Sequence, residues 1–218
     1  DQRFGIPPTL IEFTTLHSRD LSAYNVIILA NGTPTEPLSP AALPKLKEWV
    51  ENGGTLITTG SAYKLTNKAK ITDFKTLSQG KKKEKGEGNT HIEYQPYHNI
   101  AKSKSGIEGV IFNCHLDITS PLGYGYENPN VAIMKNGTTV MDFSQIKGSS
   151  PMQYTKQPYL SGCVSLENIK RISNAPASIV SGCGKGNVIW FADDLNYRSY
   201  WFGGTKIFMN AIYFGQLY

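Results

Sequence analysis

Residues 191–201, FADDLNYRSYW, gather the side chains of this protein best suited to hold a ligand. Asp193 and Asp194 offer carboxylates, Arg198 a guanidinium, and Tyr200 and Trp201 flat aromatic faces. They follow an apolar run at 188–191, and the C-terminal end of a buried strand is where α/β folds place ligands. The same groups could instead cap the last helix and pair with one another. Residues 30–35, ANGTPT, follow another apolar run and offer hydroxyls and backbone N–H groups to a phosphate, with Asn31 and Thr33 as the side chains concerned. An ordinary Thr-rich turn has the same composition.

Other motifs point to less chemistry. Cys114 and His115 are neighbours, but adjacent residues on a strand face opposite sides, so they form no thiol–imidazole dyad. His17, His91, His98 and His115 lack H-x-x-E and H-E-x-x-H spacing, and there is no C-x-x-C, so no metal is implied. Residues 182–187, GCGKGN, lack the Ser or Thr of a P-loop and join two strands, which reads as a hairpin turn. Asn31 and Asn136 stand in N-x-T triplets, which matter only in a eukaryotic secretory setting. No cofactor follows from any of these.

Residues 24–63 supply the frame. An apolar run at 26–29 has the pattern of a strand buried on both faces, with the strand reaching 30. Ser39 offers an N-cap and Pro40 suits the first turn of a helix over 40–52. Leu43, Leu46, Trp49 and Val50 form its apolar face, and Gly53-Gly54 ends it. Residues 55–59, TLITT, return as a strand, giving a parallel pair with a right-handed crossover.

Elsewhere, 1–5 read as the tail of a helix, TLIEFTT (9–15) as a strand, and 61–65 as a short helix. Residues 66–105, polar and Gly-punctuated, read as an insertion, with 78–90 expected to be mobile. A strand and a turn-rich loop follow over 109–126. Asn136-Gly137 predicts a hairpin over 131–143, 144–174 are irregular, and 177–194 form a second hairpin whose arm 188–192 is central. A helix over 203–215 closes the domain.

At 218 residues the chain suits one domain. Its net charge of +5 owes much to the run at 81–85, KKKEK, a solvated loop without interleaved aromatics, so no nucleic-acid partner is inferred. No apolar run reaches the roughly 18 residues of a membrane span. Three cysteines are too few for a disulfide framework; Cys163 and Cys183 could pair, but nothing in the sequence brings them together.

The order YNVIILANG, LKEWVENGGTLITTGSA, SPLGYGY, SGC, GKGNVIWFADDLNYRSYW and FGGTKIFMNAIYF resembles the glutamine-amidotransferase-like domain found C-terminal to secreted bacterial zinc carboxypeptidases. The likeness spans most of residues 1–218 and implies a doubly wound, mostly parallel α/β sheet with added hairpins and an opening strand that precedes this chain. It also implies an upstream peptidase domain as partner and an extracellular or periplasmic parent. Active class I glutamine amidotransferases carry a Cys on the turn that reads TTGSAY here, with Gly60 or Ser61 nearest its place, and a His and Glu where this chain reads FADD. The expectation is a non-catalytic accessory domain, structural or substrate- or partner-binding. The alternatives are an independent small-molecule or glycan binder using Asn31, Thr33, Ser61, Asp193, Asp194, Arg198, Tyr200 and Trp201, and, remotely, a Ser61 hydrolase.

Overall fold

The computed structural model describes residues 5–34, 40–77, 106–142 and 148–218. Its main sheet holds β1 (Val26–Leu29), β2 (Thr55–Thr59), β8 (Ser178–Cys183) and β9 (Gly186–Phe191) in the order β1-β2-β9-β8. β1, β2 and β9 run parallel, with Leu29 beside Thr58 and Thr58 beside Trp190; β8 is antiparallel to β9. The neighbours expected from the sequence are therefore neighbours in space. Helix α1 (Ala42–Glu51) makes the crossover between β1 and β2 and buries Leu46, Trp49 and Val50 with Leu56, Val188 and Trp190. On the opposite face Ile57, Ile189 and Phe191 meet Ile207 and Ala211 of α4 (Thr205–Phe214). β2 and β9 are covered on both sides because their residues alternate between two apolar sets, whereas β1, expected to be buried on both faces, is the edge strand, with Ile28 41% exposed and only Leu29 buried. Each fully buried Leu or Ile contributes about 1.5–3 kcal/mol.

A second sheet of β4 (Val110–Leu116), β5 (Asn130–Lys135) and β7 (Met152–Ser161) is antiparallel, in the order β5-β4-β7. Phe112, Cys114, Leu116, Ile133 and Tyr154 join its inner face to the core under α4. Cys114 is buried while His115 is exposed, on opposite faces as expected. Burial pushes the Cys114 thiol well up, reinforced by the nearby Asp193 charge, so it stays protonated. All three cysteines are free.

Several expectations need correction. Residues 131–143 are no hairpin: β5 pairs with β4, and β6 (Met141–Asp142) pairs with β3 (Lys75–Thr76). The Asn136-Gly137 turn instead bonds outward, with the Gly137 N–H donating to Ile107 O at 2.8 Å. The stretch 144–174 contains β7 and helix α3 (Leu166–Ile172), capped by Ser165 accepting from the Asn168 N–H at 3.2 Å. Residues 66–77 belong to the core, not to an insertion. Helix α2 (Tyr63–Lys68) leads to buried Ile71 and Phe74, and the Asn67 amide ties Thr72 and Phe74 together. TLIEFTT has no ladder partner among the described residues, and only a 3-10 turn, Phe13–Thr15, forms within it. Leu10 there is 89% exposed, so it gains no packing to hold a strand. Helix α1 starts at Ala42, two residues later than read, with Pro44 in its first turn where a missing N–H costs little. Ser39 and residues 78–105 lie outside the described residues, and with them the cap and the mobile loop.

The 177–194 hairpin is present. Its turn, Gly184-Lys185, packs against the end of α1: Lys185 N–H donates to Glu51 O at 2.9 Å, and a Cβ on Gly184 would lie 2.6 Å from Glu51 Cα.

Candidate functional site

Because β1, β2 and β9 are parallel, the turns that leave them emerge at one edge of the sheet. There the topology collects Asn31 and Thr33 after β1, Gly60 and Ser61 after β2, and residues 192–201 after β9.

The turn after β2 is closed on itself. Gly60 takes φ +53°, entering a 3-10 turn, Gly60–Ala62, that runs into α2. A Cβ there would lie 2.5 Å from Asn31 Cγ, so the place is built for a residue without one. Asn31 Oδ1 accepts from the Ser61 N–H at 3.0 Å and from the Ser61 hydroxyl at 2.9 Å. The Ser61 Oγ in turn accepts weakly from the Gly32 N–H at 3.4 Å. The Asn31 N–H donates to Thr59 Oγ1 at 2.8 Å, and Trp190 Nε1 donates to Gly60 O at 2.9 Å. Trp190 is itself packed between Tyr63 and Phe74, with ring centres 4.4 and 5.1 Å away. Asn31 and Ser61, both singled out in the sequence, are thus brought together. The Thr33 hydroxyl bonds Ala30 O at 2.6 Å and serves its own turn.

The loop after β9 divides into inward and outward halves. Asp193 turns inward: Oδ1 lies 2.7 Å from Lys135 Nζ, and Oδ2 accepts from the Tyr154 hydroxyl. The side chains of Lys135 and Asp193 are 0% and 3% exposed. Lys135 also donates to Thr139 O at 2.7 Å and Tyr154 OH at 3.4 Å, so its donors are used. Desolvation raises the Tyr154 hydroxyl well above its usual range and the Asp193 charge raises it further, which keeps it a donor. Asp193 is therefore buried, with each oxygen engaged by the scaffold. Lys135 and Tyr154 had no signal in the sequence beyond a lysine ending an apolar strand.

The outward half carries Asp194, Arg198 and Tyr200, all exposed. Asp194 Oδ1 accepts from the Asn196 N–H at 3.2 Å, and Arg198 lies over the Tyr197 ring at 5.2 Å. Among the described residues Arg198 forms an ion pair with neither Asp193 nor Asp194. Tyr200 donates to Met134 Sδ at 3.1 Å, and Trp201 Nε1, half-buried, to Ala132 O at 3.2 Å. Two consecutive residues are left-handed, Arg198 at φ +49° and Ser199 at φ +57°. Each costs about 1–2 kcal/mol in a residue with a Cβ. Asn196 Oδ1 is enclosed without a hydrogen-bond partner among the described residues. Strain and an orphaned polar atom thus coincide in one loop.

No group of three or more His, Cys, Asp and Glu side chains among the described residues is placed to hold a metal, and no helix there is long and apolar enough to cross a membrane.

No protein-family model matches this chain, and no curated protein matches it in sequence. Solved structures superpose on it in part. A ThuA-like protein from Parabacteroides merdae superposes with a TM-score of 0.51 at 12% identity, covering 85% of this chain and 65% of its own. A cytoplasmic protein from Salmonella typhimurium gives 0.48 at 16%, covering 89% and 72%. A GH42 β-galactosidase, Gan42B, gives 0.44 at 15%, over 82% of this chain and 20% of its own length. The chain thus spans about two thirds of the ThuA-like protein and a fifth of the galactosidase. The mixed α/β sheet is compatible with the ThuA-like, glutamine-amidotransferase-like fold.

Proposed function

We propose that this chain is a non-hydrolytic binding domain on a glutamine-amidotransferase-like frame, presenting the outward half of the loop after β9 to an anionic small molecule or glycan. One observation carries the reading: the turn where such a fold would mount its nucleophile holds Gly60, and Asn31 fills the space a side chain would need. Ser61 stands next to it, but its hydroxyl donates to an amide oxygen, which is too weak a base to take a proton from serine. The binding half is supported by Arg198, Asp194 and Tyr200, exposed on a strained loop at the strand ends. The wider reading, an accessory role beside a zinc-carboxypeptidase-like domain in a secreted protein, is supported by the sequence resemblance alone.

The test has two arms. Amide and ester substrates should show no turnover, and any turnover lost in Ser61→Ala would overturn the non-hydrolytic half. A thermal-shift screen of anionic metabolites and glycans should give binding that Arg198→Ala removes while leaving the unliganded melting temperature in place. The sequence of the full gene tests the wider reading: an upstream H-x-x-E with a later His supports it.

A further inference from the structure

We infer that β5 is the template on which the 193–201 loop is shaped, and that Lys135 and Tyr154 are positioning residues acting on that loop through Asp193. The functional weight of this inference rests on the reading of the loop as a binding surface.

Three contacts run in order along one strand. Asp193 meets Lys135, Tyr200 meets Met134 and Trp201 meets Ala132, so the two ends of the loop are fastened to neighbouring positions of β5. Between those ends stand the left-handed Arg198 and Ser199 and the unpartnered Asn196 Oδ1. A short segment that carries such strain relaxes unless its surroundings over-determine it. Tyr200–Met134 is a weak sulfur contact and Trp201–Ala132 a single neutral bond at 3.2 Å. The Asp193 end is different in kind. It is enclosed, charged and satisfied on both oxygens from two strands, Lys135 on β5 and Tyr154 on β7.

A buried ion pair adds little net stability over apolar residues of similar size, yet losing one partner is costly. This pair's distinctive contribution is direction, since it fixes where the chain leaves β9. Lys135→Met/Tyr154→Phe/Asp193→Leu replaces the cluster with apolar groups, and Tyr154→Phe alone removes the hydroxyl's bonds to Asp193 and Lys135 while leaving the ion pair in place.

The measurement is tryptic cleavage of the native protein at Arg198, resolved by mass spectrometry, against cleavage at Lys47 in α1 as the internal reference. Amide exchange over 194–202 is followed in parallel. The triple variant should melt close to the wild type, with cleavage at Arg198 faster by about tenfold and Lys47 unchanged; Tyr154→Phe should give about threefold. A folded triple variant with an unchanged Arg198 rate, or with both sites accelerated together, overturns the inference. Should the triple variant not fold, an unchanged rate in Tyr154→Phe overturns it. Accelerated cleavage with an empty ligand screen would defeat the binding reading and leave the template standing.

Discussion

The turn after β2 and the loop after β9 leave adjacent parallel strands at the same edge of the sheet, yet they are held by opposite means. The first is closed by fit: a glycine, a short amide and a hydroxyl share neutral bonds, and nothing charged takes part. The second is held by charge at its buried end and strained at its exposed end. The contrast shows how one strand edge can hold both a filled turn and a presented loop. A turn with no room for a side chain offers little to a ligand. A loop anchored from within can hold Arg198 in the open without an ion pair among the described residues, while Tyr200, though exposed, also helps fasten the loop to β5.

The largest effect that would sharpen this contrast is expected from Lys135→Met. It leaves Asp193 buried without its cation, which costs about 3–5 kcal/mol and lowers the melting temperature by roughly 6–20 °C. A loss below about 1 kcal/mol in thermal melts would mean that the charge does not hold the loop's buried end.

Gly60→Ala comes next. It forces a Cβ into Asn31 and a left-handed backbone on alanine, for about 2–3 kcal/mol by denaturant unfolding. Adding Asn31→Ala should recover the steric part, so the two changes couple in a double-mutant cycle. Strict additivity would break the picture of a turn closed by fit.

Ser61→Ala should cost about 0.5–1.5 kcal/mol, the usual worth of a hydrogen bond, with no change in any substrate assay. The smallest effect belongs to Arg198→Ala, within about 0.5 kcal/mol in a chemical melt because the side chain is exposed and carries no ion pair here. A large destabilisation there would make the outward half scaffold, as the inward half is.

The two regions were not equally legible. Residues 24–63 could be read because strand, helix and turn signals agree locally: apolar runs, a helical stripe and Gly53-Gly54 all favour one arrangement. Asn31 and Ser61 could be singled out one by one; that they bond to each other emerged only in the structure, where parallel strands bring their exits together. Lys135 could not be found. It stands 58 positions from Asp193, and its pairing depends on a second sheet folding against the first. The Asn136-Gly137 signal misled for a related reason, since β4 and β3 outcompete the two arms of the local hairpin for each other. β7 was hidden because few of its ten residues face the core, so it shows neither a clean alternation nor an apolar run.

What the sequence alone determined is local. It set the βαβ unit, the β8–β9 hairpin and the closing helix, whose patterns are contained within each stretch. It also set the opposed faces of Cys114 and His115, which follow from the two-residue repeat of a strand. Tertiary structure decided which polar groups face in and which face out at the sheet edge. Asp193 and Asp194 are adjacent and chemically alike, and no local rule separates them. Only Lys135 and Tyr154, brought up by a distant sheet, supply the partners that make burial of one carboxylate affordable and leave the other in water.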